Sequence, residues 1–294
     1  MADSGSGPWF VVPAFGRPEA TIRALRSLFD DGARNVLLVD DEGRGHGEEM
    51  AAQFPDLRVL RTASPVFWTG AIRLGIERAL AEGARGVVFF NQDVTVEKGF
   101  LQRLGETSRA HPGALLGCVV VYGHERGTVW SAGARMEWLG RGFRILFHGR
   151  PAAELPEGPF PADWIHGMGT YVPAEVFAKA GLPDAERFPM AWGDADFALR
   201  AKEAGFEVLV DPRLRLDHEV GEYDPRVAGA PTLGEYLGWL RSDHHYLSLS
   251  AQAGFWRRHA PYGLWPLSLA LRTVFLLANF LRIRILYGRK PASP

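Results

Sequence analysis

The stretch "GVVFFNQDVTVE", residues 86–97, decides the fold. Four apolar residues, Val87, Val88, Phe89 and Phe90, run straight into Asn91, Gln92 and Asp93. A run that is apolar at every position is the pattern of a strand covered on both faces, as in a parallel sheet between helices. In open α/β sheets, ligands gather beyond the carboxyl ends of the strands. A carboxylate at that place either meets a ligand or caps a helix. A helix is expected from about Val96, and Thr95 is the better cap for it. On this segment alone, turn chemistry and ligand binding stand level for Asp93, and the rest of the chain has to decide between them.

Toward the N-terminus the same pattern recurs. "WFVVPAF", residues 9–15, reads as a first strand. "EATIRALRSLFDDGA" follows as a helix with Ile22, Leu25, Leu28 and Phe29 on one face. "NVLLVDDEG" is a second buried strand, and it too ends on carboxylates, Asp40 and Asp41. "LRVLRT" is a short third strand. "WTGAIRLGIERALAEGA" is a helix with Ile72, Ile76, Ala79 and Leu80 in period and a stop at Gly83. This alternation predicts a mainly parallel, doubly wound α/β sheet. Right-handed crossovers then bring both carboxylate-ended strands to one edge.

Beyond Gly113 the pattern loosens into strands of a mixed sheet: "ALLGCVVVYG", "GTVWSAGAR" and "GFRILFHG". "WIHGMGTYVPAEVFAKAGLPDAERF" reads as strand, turn and short helix, with Pro173 at the helix start. "AWGDADFALRAKEAGFEVLVDPRLRLDH" reads as loop, helix and strand. Asp194 and Asp196 stand at that helix entrance, too close in sequence to share a face. One can cap while the other points into a cleft, with Trp192 as an aromatic wall; Asp196 also stands at i,i+4 pairing distance from Arg200. His218 closes the segment. Set beside a carboxylate, a histidine can ligate a divalent ion such as Mn²⁺. One Asp and one His make a thin site, and a pyrophosphate would supply the other oxygens.

The chain has 294 residues, is 47% hydrophobic and carries a formal net charge of −1. That is ample for one long domain, or one domain with an appendage. The near-zero charge argues against a nucleic-acid partner held by phosphate contacts. Cys118 is the single cysteine, which excludes an internal disulfide and suits a cytoplasmic location. The opening "MADSGSGPWF" has no basic segment followed by an apolar run, so no secretory signal is expected there.

Pro231 divides the chain into residues 8–230 and a helical extension, residues 231–294. "FWRRHAPYGLWPLSLALRTVFLLANFLRIRILYGRKPASP" contains no Asp or Glu and carries Arg257, Arg258, Arg272, Arg282, Arg284, Arg289 and Lys290. Arg272 interrupts the apolar run, which argues against a spanning helix of ~20 apolar residues. A basic helix rich in Leu, Phe and Trp can lie in a membrane interface, here the inner face of the cytoplasmic membrane. It can equally pack on the catalytic domain or on a second subunit in a homodimer. Both uses stay open.

Taken in order, these segments resemble family 2 glycosyltransferases, which have the GT-A fold; the resemblance spans residues 9–219. "VVPAFGRPEATIRALRSL" is similar to the family's opening strand and helix. "LLVDDEG" resembles the second strand, whose terminal Asp meets the nucleotide; that maps to Asp40, with Asp41 beside it. "WTGAIRLGIERAL" resembles the segment under the donor. "FFNQD" resembles the metal-binding motif in its Asn-any-Asp form, which assigns Asp93, with His218, to a divalent metal, Mn²⁺ or Mg²⁺. "WIHGMGTYVPAEVFAKAGLPDAERF" resembles the acceptor-side segment, implying Trp164 and His166 there. "WGDADFALRAKEAG" resembles the late helix carrying the catalytic base, implying Asp194, with Trp192 and Asp196 on the acceptor side. The likeness is to rhamnosyltransferase-type members that act on polysaccharide or lipid-linked acceptors. It implies a metal-dependent, inverting transfer of a hexosyl or deoxyhexosyl group from a nucleoside-diphosphate sugar. Three positions depart from the pattern: Asn91 replaces the first acid, Gly193 replaces a Glu, and Arg73 stands where many relatives carry Asn. Arg suits phosphate geometry, so Arg73 is expected at the donor phosphates.

Other functions leave weaker traces. A nucleotidyltransferase usually shows a Gly-rich basic loop near its first strand, and "PAFGRPEAT" offers one Gly and one Arg. A binding protein without turnover is kept open by Asn91 and Gly193. A dinucleotide dehydrogenase is disfavoured, since no G-x-G-x-x-G follows the first strand.

Overall fold

The computed structural model describes residues 7–123, 125, 127–219 and 230–288. Arg289 and Lys290 of the basic tail lie outside the described residues. Strand β1 (Trp9–Ala14) pairs in parallel with β2 (Asn35–Asp40), and β2 with β3 (Arg58–Arg61). β4 (Gly86–Phe89) lies parallel on the other side of β1. Helices α1 (Pro18–Asp30), α2 (Gly47–Gln53) and α3 (Phe67–Ala81) run between these strands. Every residue of β2 and β4 is buried, as continuous apolar runs require. Val87 and Phe89 enter one core layer, with Val11, Ile72 and Ile76. Val88 and Phe90 enter the other, with Phe10, Leu25 and Leu28. The strand period of two thus feeds two cores at once.

The deciding stretch departs from expectation at one point. No helix starts at Val96. Val94–Val96 form a short strand, β5, and α4 (Phe100–Ala110) begins only after Gly99, which sits at φ 81. Val, Thr and Val favour the extended backbone. The free amides at the start of α4 are met from elsewhere: the Asp31 carboxylate accepts from Gly99 N at 2.5 Å and Leu101 N at 2.7 Å. Thr95 therefore caps nothing.

The second half of the sheet is mixed. It contains β6 (Leu115–Tyr122), β7 (Val129–Ser131), β10 (Phe160–Pro161), β11 (Thr170–Pro173) and β12 (Val208–His218); β8 (Ala134–Glu137) and β9 (Gly142–Ile145) form a separate hairpin. The main order is β10-β12-β6-β11-β4-β1-β2-β3, with β5 on β12 and β7 on β6. β11 is antiparallel to both β4 and β6, and β12 is parallel to β6. Helices α5 (Ala174–Ala180) and α6 (Gly193–Glu203) precede β12.

One close approach holds α3 on the sheet. A Cβ added at Gly75 would lie 2.1 Å from Val11 Cγ1. Gly75→Ala is expected to destabilise by about 1–3 kcal/mol through overpacking. Val11→Ala in the same chain should return part of the loss. Urea melts of the single and double variants measure it, and a Gly75→Ala melt like wild type defeats the packing argument.

The extension folds as α7 (Leu233–Arg241), α8 (Leu249–His259) and α9 (Trp265–Tyr287). Phe255 and Trp256 of α8 join a core with Trp164, Trp192, Ala195 and Ala198. α9 buries Ser268, Arg272, Leu276 and Phe280, a four-residue spacing that makes one stripe. Arg272 is therefore not a break in the exposed apolar side. It is 4% exposed and faces inward. Its guanidinium donates to the Arg141 carbonyl and to Gln252 Oε1, and lies 5.0 Å from the Phe143 ring centre. The outward side of α9 keeps Leu267, Leu271, Val274, Phe275, Leu277 and Leu281 in water. Among the described residues, no helix is long and apolar enough to cross a membrane.

Candidate active site

β1, β2 and β4 are mutually parallel, so their carboxyl ends share one edge. At the end of β2 the two carboxylates are buried. Asp40 accepts from Gly45 N at 2.5 Å and Gly47 N at 3.0 Å, which closes the turn after the strand. Asp41 accepts from Val66 N at 2.9 Å, from Phe67 N at 3.1 Å and from the Thr62 hydroxyl at 3.1 Å, which fixes the entrance to α3. Each carboxylate thus organises a loop at the sheet edge. An ionised carboxylate has about four acceptor positions, so capacity remains on both.

At the end of β4, two of the three polar residues hold structure. Asn91 Oδ1 accepts from Trp68 Nε1 at 2.8 Å. The Gln92 amide exchanges two bonds with the Phe15 backbone, each 3.1 Å, and accepts from the Thr21 hydroxyl. The third, Asp93, keeps a partly exposed side chain at the sheet edge. β5 pairs antiparallel with β12 so that His218 stands opposite Val94. The strand that replaced the expected helix is what brings His218 to Asp93. Nε2 of His218 lies 3.8 Å from Asp93 Oδ2, too long for a hydrogen bond. Arg17 Nη1 lies 3.1 Å from the same oxygen. Burial alone would raise the Asp93 carboxyl, but His218 and Arg17 outweigh it and hold the group below the ordinary range. Asp93 Oδ1 and His218 Nδ1 are buried without a partner among the described residues.

An aromatic row continues from His218. Its ring meets Trp130 edge-on at 5.3 Å, Trp130 lies 4.9 Å from His166, and His166 lies 4.6 Å from Trp164. Ser131 Oγ is 2.8 Å from His166 Nδ1. Burial pulls His166 down to about 3, with His218 and His148 adding to the effect, so this imidazole is neutral at pH 7.

Asp194 sits in the first turn of α6. Its Oδ2 accepts from Gly167 N at 3.0 Å and its Oδ1 from Ala195 N at 2.8 Å. Burial lifts its carboxyl above the ordinary range, against the pull of those amides. Two glycines allow this closeness. A Cβ at Gly167 would lie 2.1 Å from Trp68 Cη2, and one at Gly193 would lie 2.5 Å from Thr69 Oγ1. Asp194, Gly167, Trp68 and Asn91 therefore form one continuous wall from α6 to the end of β4.

Two expected roles are corrected, those of Asp196 and Trp192. Asp196 is fully buried and cannot meet an acceptor. Two residues on, a helix has turned about 200°, so Asp196 faces α8, where it meets Arg258 Nη1 at 2.7 Å and His259 Nε2 at 2.9 Å, with Arg200 Nε of its own helix at 2.9 Å. Trp192 is no cleft wall either. It packs 4.9 Å from Phe255 and 5.2 Å from Trp256, and its Nε1 donates to the Tyr246 carbonyl. Arg73 lies on Glu77 Oε1 at 3.1 Å, one turn along α3; the cation at Asp93 is Arg17. Its signal was present in "FGRPE": a cation in the loop after the first strand, at the ligand edge, with Pro18 starting the helix.

The donor set at Asp93 and His218 is one carboxylate and one imidazole. Among the described residues, no three His, Cys, Asp or Glu side chains gather as a metal cluster. The pair still suits a borderline cation such as Mn²⁺, and its partnerless buried atoms fit a site that a ligand completes.

The sequence model described as "Glycosyl transferase family 2" matches residues 9–162. The chain belongs to glycosyl transferase family 2. As a member it is a glycosyltransferase that draws on a nucleotide-sugar donor. It is 24% identical over 270 residues to an uncharacterized Mycobacterium tuberculosis protein, covering 88% of this chain and 87% of that one. It is 24% identical over 161 residues to the dTDP-rhamnosyl transferase RfbF of Shigella flexneri, covering 54% of this chain and 51% of RfbF. Among solved structures, GalNAc-T7 with UDP, GalNAc and Mn²⁺ superposes with a TM-score of 0.59 at 15% identity, over 97% of this chain and 59% of that one. Staphylococcus aureus TarS 1–349 with UDP gives 0.56 at 14% identity, over 95% and 73%. At these identities the structural likeness concerns the glycosyltransferase fold.

Proposed function

We propose that this glycosyltransferase moves a hexosyl or deoxyhexosyl group from a nucleoside-diphosphate sugar to a hydroxyl of a saccharide or lipid-linked acceptor, with a divalent metal and with inversion. The observation that carries the reading is the Asp93–His218 pair, joined across 125 positions of sequence by β5 and β12 at 3.8 Å. Asp93 and His218 would hold the cation, Mn²⁺ or Mg²⁺. When bound, it supplies Lewis-acid stabilisation to the departing diphosphate. Arg17 adds a fork of donors for the same phosphates. Asp40 and Asp41 would use their spare acceptor positions on the nucleoside. Asp194, lifted above the ordinary carboxylate range by burial, takes the acceptor hydroxyl's proton as that oxygen attacks the anomeric carbon. Attack opposite the leaving group inverts that carbon and needs no covalent enzyme intermediate. Trp164 and His166 line the acceptor side, His166 as a neutral imidazole. The likeness to a dTDP-rhamnosyl transferase supports a dTDP- or UDP-linked donor.

Asp93→Asn is expected to weaken nucleoside-diphosphate binding in Mn²⁺ by at least about tenfold, the scale of one charge-assisted contact. Titration calorimetry with and without the metal measures it. Equal affinity of both proteins in saturating Mn²⁺ removes Asp93 from the site.

The catalytic domain would be residues 8–230 and the extension residues 231–294. The uncharged outward side of α9, followed by Arg282 and Arg284, supports peripheral contact with an anionic lipid surface. The full chain should pellet with phosphatidylserine vesicles at low salt, and Leu271→Glu with Phe275→Glu should abolish it. A chain that stays in the supernatant, and has twice its expected mass in solution, would assign the face to a homodimer instead.

A further inference from the structure

The extension also reaches the catalytic helix. Asp196 lies two residues after Asp194 on the first turn of α6, and its carboxylate is sealed from water. One of its partners, Arg200, is local. The other two, Arg258 and His259, come from α8. Arg258 has a second grip: Nη2 donates to Asp184 Oδ2 at 2.8 Å. Asp184 opens the segment that leads into α6. Its other oxygen accepts from Arg187 N at 3.1 Å and its carbonyl from Phe188 N at 2.9 Å. That segment gives the Pro189 carbonyl to Thr69 N at 3.0 Å on α3. It ends at Trp192, a non-glycine residue at φ 72. Such a backbone costs of order 1–3 kcal/mol and persists only where the surroundings hold it. One guanidinium therefore fastens both ends of the segment that aims α6. Asp194 meets Gly167 across a gap between elements, at 3.0 Å, so a small rotation of α6 would break that bond.

We infer that Arg258 is a positioning residue for sugar transfer. By bridging Asp184 and Asp196 it fixes the first turn of α6, so that the Asp194 carboxylate faces the acceptor hydroxyl. The inference rests on Asp194 as the base. The extension is then a working part of the active site as well as a surface.

The test uses the full chain, Mn²⁺ and nucleoside-diphosphate release from a dTDP- or UDP-linked sugar, with water or a simple saccharide as acceptor. Arg258→Gln should lower kcat by about 10- to 100-fold, the scale of a displaced catalytic group. Nucleoside-diphosphate affinity should not change. Added to Asp194→Asn, Arg258→Gln should cost nothing further, because the group it positions is gone. Unchanged kcat in Arg258→Gln, or the same loss in both backgrounds, overturns the inference. Near-normal turnover in Asp194→Asn alone would instead overturn the base assignment. If Arg258→Gln does not fold, Asp184→Asn weakens the bridge at its other end and leaves Asp196 with its three partners. It should show the same kcat loss and the same absence of loss on Asp194→Asn, and full activity there also overturns the inference.

Discussion

Asp194→Asn is expected to lose roughly 10²–10⁴ in kcat and to keep its affinity for nucleoside diphosphate. The substitution preserves shape and leaves an oxygen for the Gly167 amide, so the wall of the cleft should stand. What it removes is the proton acceptor. The direction of the Asp194 shift adds a second test. Burial raises its carboxyl above the ordinary 3.8. The rate should therefore fall on the acid side along a limb lying above the usual carboxylate range, because only the ionised form accepts a proton. The same shift has a consequence for stability. A folded-state pKa above the unfolded value means the fold prefers the protonated acid. That preference helps the fold at low pH and fades as pH rises through the raised pKa. At neutral pH the ionised carboxylate is a burden, and Asn carries none. Asp194→Asn should accordingly melt at or above the wild-type temperature at pH 7 while being inactive, the exchange of stability for function expected at a catalytic group. A variant that turns over normally, or whose acid limb coincides with wild type, would return the base role to another group.

How much of this was legible depended on range along the chain. The end of β4 was readable because a continuous apolar run and its terminal carboxylate are neighbours in sequence. That run marked Asp93 as a candidate, and the alternation of strands with helices supplied the parallel β1, β2 and β4. Asp194 was readable as a helix-entrance carboxylate, and its partnership with Gly167 was not, since that amide lies 27 positions away. Residues 94–96 were misread because their conformation is set by β12, more than a hundred positions on. Local capping rules had no access to that pairing, or to Asp31 as the true acceptor for α4. The burial of Arg272 was hidden for a similar reason, although its reading against a spanning helix stands. In one dimension it interrupts an apolar run, whereas on the helix it falls in the stripe of Ser268, Leu276 and Phe280. Trp192 looked like a cleft residue, and Asp196 showed only its i,i+4 partner Arg200, because nothing in "WGDADF" announces α8. Their partners, Phe255, Trp256, Arg258 and His259, lie in a segment that sequence reading had set apart as an extension.

Asp196 should show the reverse of Asp194: a large loss of stability and a smaller loss of turnover. Asp196→Ala removes the buried carboxylate between the partly exposed guanidinium groups of Arg200 and Arg258, with His259 beside them. Breaking a buried ion pair from one side costs about 3–5 kcal/mol, mostly through the charge left behind. Urea denaturation at pH 7 should register a loss of that order. The pH dependence identifies the source. Burial by itself would raise the Asp196 carboxyl, but bonds from His259, Arg200 and Arg258 carry it down to about 2 from the ordinary 3.8. A depressed folded-state pKa gives stability that is present above the unfolded pKa and is lost as pH falls through the folded one. The window is therefore between about pH 4 and pH 2, and the shift corresponds to on the order of 2 kcal/mol. Wild type should lose that increment across the window, and Asp196→Ala should be flatter there because its increment is already gone. Asp194→Asn should leave this acid window untouched. A variant at Asp196 that melts like wild type yet fails to transfer would place its carboxylate on the substrate, and the cluster with α8 would then be a consequence of the fold and no support for it.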